Sequence, residues 1–306
     1  MKYLYYSGCS AEGSALEYGT STLAVLEALG AEVEELKDWT CCGASVASTM
    51  SDLLGVVLPA RNLALAEQAG NGREMLAVCS ACYTNFRRTA AAIAAQPRLL
   101  DTINQALEVE GLTYHGTVQT RHLLDALAND FDPEAIAARV QRPLAGLTVA
   151  PYYGCQTVRP YSPFDDDQRP TSMIGVLEAL GATVHSHNRE AFCCGTSLLT
   201  TKPEVGLQMV GAILEACEPA DCIVTVCPMC HMNLDSYQDK ALNKVKDKAL
   251  NKVKDKVSQL VGRSLRIPVL FLPQLMGLAF GLPESALMFK RHVVPVKSVL
   301  SATVCE

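Results

Sequence analysis

The sequence predicts an α/β fold of two pseudosymmetric halves, each a small parallel sheet flanked by helices. Three observations predict it. The seven letters Val-Leu-Glu-Ala-Leu-Gly-Ala at 25–31 recur unchanged at 176–182. Tyr5-Tyr6 and Asn85 return as Tyr152-Tyr153 and Asn233, and such offsets stay between 146 and 152 residues. Within each copy, short apolar or aromatic runs alternate with stretches of helical periodicity, the pattern of parallel strands joined by crossover helices. The halves are expected to span 1–140 and 146–306, with a linker near 130–146 that holds Pro133, Pro143 and Gly146.

The elements follow in order. Residues 2–7 and 147–153 read as first strands, since both are apolar and aromatic. Residues 20–29 and 171–180 have helical spacing and end at Gly30 and Gly181, residues suited to the left-handed turn that closes a helix. Residues 31–36 and 182–186 read as second strands. Helices are expected near 50–69 and 203–217. Residues 74–79 and 222–227 read as third strands, with helices opening where they end. Residues 241–248 recur letter for letter at 249–256. Leu242, Val245, Ala249, Val253 and Val257 can share one helical face there, so the segment reads as an amphipathic, solvated helix lengthened by tandem duplication.

Composition narrows the function classes. The chain has 306 residues, of which 49% are hydrophobic and 19% charged, enough to bury a large core. A net charge of −6 argues against nucleic acid as a partner. The opening residues reach Cys9 too soon for a secretory signal. The apolar stretch from Ile267 to Leu282 is interrupted by Pro268 and Pro273, and a bilayer span needs about 20 apolar residues. A soluble, cytoplasmic chain that does not cross a membrane is expected. In that compartment its thirteen cysteines point to metal or redox chemistry rather than to disulfides.

Ten of those cysteines form two copies of one pattern. The first is Cys9, then Cys41-Cys42-Gly43, then Cys79 and Cys82. The second is Cys155, then Cys193-Cys194-Gly195, then Cys227 and Cys230. The intervening gaps are 31 and 36 residues in the first copy and 37 and 32 in the second. All ten fall at the carboxyl ends of predicted strands, where open α/β sheets place their sites. A Cys-x-x-Cys at a helix N-terminus sets two sulfurs beside unpaired N–H groups, which favour thiolates. Adjacent cysteines reach two metals of a cluster more readily than one small ion. Gly43 and Gly195 then permit positive φ and close backbone approach. Five thiolates per copy is one more than tetrahedral zinc or a cubane iron–sulfur cluster requires. Cys217, Cys222 and Cys305 are expected to be core or terminal thiols.

This duplicated signature resembles the catalytic, B-type member of the heterodisulfide reductases and its bacterial relatives, over essentially the whole chain. The resemblance includes Leu275-x-Gly277-x-Ala279-x-Gly281 and the region of His122-Leu123-Leu124. It implies one non-cubane [4Fe-4S] cluster per half, held by Cys9, Cys41, Cys42, Cys79 and Cys82 in one and by Cys155, Cys193, Cys194, Cys227 and Cys230 in the other. It also implies that the clusters face each other and cleave or form a disulfide, one sulfur to each. The partners implied are a C-type iron–sulfur protein carrying cubane clusters and an A-type flavoprotein, the other members of such a heterodisulfide reductase complex. In the bacterial sulfur-oxidising form, towards which this reading leans, a lipoate-binding carrier protein joins them.

Two other readings stand beside it. One is an electron-transfer iron–sulfur protein like those of lactate- or glycolate-oxidising complexes. The other places structural zinc in one half. Tyr83, Tyr153, Arg159, His231 and Asn233 flank the cysteines and are candidate substrate neighbours, with packing or support of the metal site as the alternative for each. His231, directly after Cys230, is expected near the metal, donating to a sulfur or passing a proton to a leaving thiolate.

Overall fold

The structure is a computed structural model describing residues 1–44, 46–70, 72–245 and 266–302. Two four-stranded sheets form, ordered β2-β1-β3-β4 and β6-β5-β7-β8, and every strand pair is parallel. In the first half β1 is Lys2–Tyr6, β2 Glu32–Glu35, β3 Met75–Ala77 and β4 Thr120–His122. In the second β5 is Thr148–Tyr152, β6 Thr183–Val184, β7 Cys222–Thr225 and β8 Val269–Phe271. The two α/β halves and six predicted strands are therefore present.

Each sheet has a fourth strand that the sequence reading did not include. Thr120-Arg121-His122 lacks an apolar run, and its three residues become a strand by pairing with β3. Val269-Leu270-Phe271 sits inside the long apolar stretch, where periodicity does not separate strand from buried helix. That stretch divides into β8 and the helix Leu272–Ala279, with Pro273 in its first turn, where a missing N–H costs nothing.

The central strands are apolar because they are covered on both faces. Leu4, Tyr5 and Tyr6 of β1 are buried, whereas the edge strand β2 carries three glutamates, a charged edge that resists further pairing. In the second half the corresponding edge strand is only two residues long. Pro151, in the neighbouring β5, has no N–H to offer, and β6 ends at Val184, before the chain comes level with it.

The predicted helices appear as Leu16–Ala28, Asp52–Gly70, Ser80–Ala95, Ser172–Ala179, Pro203–Ala216 and Pro228–Ser236. Gly30 and Gly181 follow the helices Leu16–Ala28 and Ser172–Ala179 at φ 79° and 85°. The expected linker is not wholly irregular: Pro133–Ala137 forms a short helix with Ile136 buried. Gln238–Val245 is helical, and the rest of the duplicated segment to 256, like Cys305, lies outside the described residues.

One hydrophobic core runs through both halves. It includes Tyr18, Val25 and Leu123 from the first, and Val149, Met173, Val224 and Leu275 from the second. All eight residues of Leu272–Ala279 are buried. Tyr18 stacks on Phe271 at 4.2 Å between centroids, and its hydroxyl donates to the Val226 carbonyl over 3.0 Å. These contacts tie the first helix face of one half to the ends of β7 and β8 in the other.

Candidate metal centres

Each Cys-x-x-Cys is built where a short central strand gives way to a helix. Cys79 and Cys227 are extended, at φ −95° and −131°, and precede the helices Ser80–Ala95 and Pro228–Ser236. Cys82 and Cys230 then lie one turn in, on the buried side. The lone cysteines follow β1 and β5, and the paired cysteines follow the second strands. Three loops at one end of each sheet therefore converge.

The structure brings all five cysteines of each copy together, in the same order. In the first half Cys9 and Cys41 Sγ lie 4.0 Å apart, Cys41 bonds to Cys42, Cys42 and Cys82 lie 3.1 Å apart, and Cys82 bonds to Cys79. In the second half the thiols adjoin in the same succession, Cys155 beside Cys193, then Cys194, Cys230 and Cys227. The twelve described cysteines are free. Of the other two in that set, Cys217 and Cys222 are buried as expected, with Cys217 Sγ 3.4 Å from His187 Nε2.

Crowded thiols divide their protons. Hydrogen bonds from Cys41 and Cys82 hold Cys42 well below the usual thiol range, while Cys41 and Cys82 are pushed up. Bonds from Cys155 and then Cys194 lower Cys193 to about 2, while Cys155 is raised and Cys194 goes to about 11. Cys227 falls to about 6, mainly through the Cys230 thiol, with help from the Cys230 and Met229 amides at the helix start and from Ser80. A bound cation would remove the cost of ionising the remaining thiols.

The surroundings fit a polynuclear cluster. A cavity of about 180 Å³ is lined by Cys155, Cys193, Cys194, Cys227 and Cys230, and Ala44, Ser80 and Ala81 of the first half close it. A single zinc ion sits about 2.3 Å from its sulfurs and needs no such space. Gly154 makes room: at φ +73°, a Cβ there would meet Cys230 Sγ at 2.9 Å. Gly43 and Gly195 have φ +72° and +78°, and added Cβ atoms would approach Leu58 at 2.8 Å and Gly206 at 3.0 Å. The soft, all-sulfur donor set suits iron–sulfur chemistry.

The flanking candidates separate. Tyr153 lines the cavity, and its hydroxyl accepts from the Met173 amide at 3.0 Å. Arg159 donates to the Asp167 and Ala191 carbonyls, and its charge helps hold Cys193 down. Asn233 donates to the Cys194 carbonyl at 3.2 Å and to Thr196 Oγ1 at 2.8 Å. Asn85 makes the matching bond to the Cys42 carbonyl.

Tyr83 and His231 stand away from the cavity lining. Tyr83 is buried against His122, edge to face at 5.5 Å. His231 stacks on Phe271 at 4.1 Å, and its Nε2 faces the Val269 carbonyl at 3.0 Å and His292 Nδ1 at 3.3 Å. Burial lowers its pKa to about 3. The expectation that His231 donates a proton to a leaving thiolate therefore meets a ring that is neutral and turned towards β8. The helix places position 231 one residue beyond Cys230, and so about 100° around the axis from it.

Sequence reasoning passed over Ser80, Thr157 and Thr196. Ser80 Oγ lies 2.7 Å from Thr157 Oγ1 and 3.2 Å from His122 Nε2 at the seam between halves. His122 Nδ1 accepts from the Leu124 amide, so its Nε2 carries the proton and donates to Ser80. Reading the two copies letter against letter would have exposed these positions: Thr196 follows Cys-Cys-Gly where the first copy has Ala44, and Ser80 matches Pro228.

This pair of five-cysteine sites at the seam of a duplicated α/β unit defines a protein class. The chain belongs to the CCG cysteine-rich domain family, whose pattern matches residues 3–87 and 149–235. It is similar, at 34% identity over 96% of its length and 97% of the relative, to the membrane anchor subunit of 8-methylmenaquinol:fumarate reductase from Wolinella succinogenes. It is 27% identical, over 96% of its length and 94% of the relative, to the B-type member of ferredoxin:CoB-CoM heterodisulfide reductase from Methanosarcina mazei. A solved structure of a hypothetical protein from Helicobacter pylori shares the fold at a TM-score of 0.72 and 16% identity; the chain, 96% covered, spans about half of that protein (52%). No described helix is long and apolar enough to cross a membrane.

Proposed function

We propose that the chain is the iron–sulfur subunit of a multi-subunit reductase, that each half holds one non-cubane [4Fe-4S] cluster, and that the pair acts on a thiol or disulfide. The observation that carries this is the gathering of five cysteines in each half, with the cavity at the second set walled by both halves. Such clusters supply one-electron steps and iron sites that accept sulfur. The ten cysteines would hold them, and the residues around them shape what can approach. Tyr153, Met229 and Ala81 make the cavity wall largely apolar, which suits a sulfur-bearing organic group better than a charged one. Breaking a disulfide takes two electrons, so a site in each half suits a substrate with two sulfurs.

The chain's other two described cysteines are buried in the core, apart from both sets, and electrons would come from a cluster-bearing partner of the C type and a flavoprotein of the A type. Run in reverse, the same chemistry would oxidise sulfur carried by a lipoate-binding protein. Cytoplasmic placement belongs to this reading.

A second reading is electron transfer without substrate sulfur. The Wolinella relative favours it, being more similar and named for a quinol:fumarate reductase. One experiment separates the two: iron, sulfide and zinc content of anaerobically purified protein, with electron paramagnetic resonance before and after a small thiol or disulfide. The first reading expects about eight irons and eight sulfides per chain, four of each per cluster, no zinc, and a new signal on addition. Full iron with spectra indifferent to thiols would establish the second. One zinc and half the iron would confine the chemistry to one half.

A further inference from the structure

A second cavity shares Cys193 with the one described above. It is an open groove of about 190 Å³ between the loop that leads to the paired cysteines and the helix Pro203–Ala216. Phe192, Met209, Ala212 and Ile213 make its walls apolar, and Arg189 supplies the one charge among its described residues. The Arg189 guanidinium lies over the Phe192 ring, 4.5 Å from its centre. A guanidinium stacked in this way keeps its N–H donors at the edge. Among the described residues no carboxylate pairs with it. Glu190, next in the chain, is buried and accepts from the His187 amide at 2.9 Å instead.

The first half shows what the groove lacks. Gly55 and Gly206 hold the same place in the repeat, each pressing the start of its helix on the turn before it. A Cβ would meet Ser48 at 2.9 Å in one and Leu199 at 2.8 Å in the other. Six residues on stand Arg61 and Ala212. Arg61 reaches back to the loop before its own paired cysteines, where it meets Asp38 at 2.8 Å, and it pairs with Glu110 at 2.7 Å. Its long side chain covers in the first half what Ala212 leaves open in the second. The first half thus carries guanidinium and carboxylates together. The second has a guanidinium, on Arg189, and an apolar slot beside it, without the carboxylate.

Ligand sites are mostly apolar, with a few polar groups that fix orientation. An apolar cavity of about 150 Å³ holds benzene, so a groove of this size takes a chain of about six to eight carbons. We propose that it binds an aliphatic carboxylate of that length, with the carboxylate in two-point contact with the edge of Arg189 and the chain against Met209, Ala212 and Ile213. The site goes beyond the thiol chemistry proposed above and does not depend on it. Because Cys193 belongs to both cavities, the occupant lies against one cysteine of the second set.

The test is isothermal titration calorimetry of the full chain, purified anaerobically, with three probes. Hexanoate should bind saturably. Hexanamide, which has the chain but not the charge, should bind about tenfold more weakly, the scale of one charge-assisted contact. Acetate, which has the charge but not the chain, should not displace hexanoate. Arg189→Gln should weaken hexanoate about tenfold and leave hexanamide as it was. Ala212→Arg, which copies Arg61, should abolish the binding of both. Wild-type protein that takes hexanoate and hexanamide equally, or gives no saturable heat with hexanoate at millimolar concentration, overturns the proposal. So does an Arg189→Gln protein with undiminished affinity for hexanoate. Iron content has no part in these outcomes, so failure here leaves the metal-centre reading standing.

Discussion

Beneath the first Cys-x-x-Cys, Tyr83 meets His122 edge-on at 5.5 Å; beneath the second, His231 lies flat on Phe271 at 4.1 Å. Tyr83 and His231 occupy the same step of the repeat, one residue after the last cysteine, and His122 and Phe271 each end the fourth strand of their sheet. The duplicated fold thus keeps an aromatic pair under each motif while exchanging its members. In the first half the imidazole is on the strand and donates to Ser80 at the seam. In the second the strand carries Phe271, which serves both halves by stacking on Tyr18 as well. Both pairs therefore support the helix that presents the cysteines, and the sulfurs are repeated without change while the aromatic pair beneath them is not.

The comparison breaks most severely at the sulfurs. Cys194→Ser or Cys227→Ser should cost the second site its iron, leaving about half of the roughly eight irons expected per chain for two clusters; metal analysis would show it, and full retention would refute five-cysteine ligation there. Phe271→Ala should come next, because it empties a fully buried site shared by Tyr18 and His231. A loss of about 3–5 kcal/mol is expected in urea unfolding. If the first half's pair is equally structural, Tyr83→Ala will cost a similar amount; a loss under about 1 kcal/mol would separate the two pairs.

Acid should act on the imidazole of each pair, and His122 shows how. Burial lowers its pKa to about 3 in the folded chain, against about 6.5 when unfolded. Below pH 6.5 the unfolded chain takes up a proton that the folded chain refuses. Stability is therefore full above about 6.5 and falls as the pH drops towards 3, by up to about 1.4 kcal/mol per unit for this group. His122→Gln should flatten that slope by about one proton between pH 7 and pH 5, read from urea midpoints; an unchanged slope would mean the imidazole is protonated when folded. The smallest effect is expected from Tyr83→Phe, which keeps the buried ring and gives up only its hydroxyl. It should cost about 1 kcal/mol or less with iron content unchanged.

The cysteines, the central strands and the repeat were legible because each depends on spacing along the chain. Cys9, Cys41 and Cys79 lie far apart in sequence yet follow strands of one sheet, so topology alone brings them together. The fourth strands were not legible, since Thr120–His122 exists only by pairing with β3. The direction of His231 was not legible either. Proximity to Cys230 in sequence suggested proximity to the metal, but helical rotation and Phe271 turn the ring the other way. Tyr153 lines the cavity at the second site, whereas Arg159 is held by the Asp167 and Ala191 carbonyls. Thr196, Ser80 and Thr157 were hidden because a hydroxyl residue carries no signal until the two copies are compared.

The bond from Tyr18 to the carbonyl of Val226 closes a loop of 208 residues. Contacts so distant in sequence are reached only after a large loss of chain entropy, and they reward the chain late. The first half's inner face, around Tyr18 and Val25, has its cover only when β8 and Leu272–Ala279 have been synthesised and docked. The protein therefore resembles a clasp more than two beads: neither half is finished alone, and opening the seam removes the wall that the first half lends to the second sulfur site.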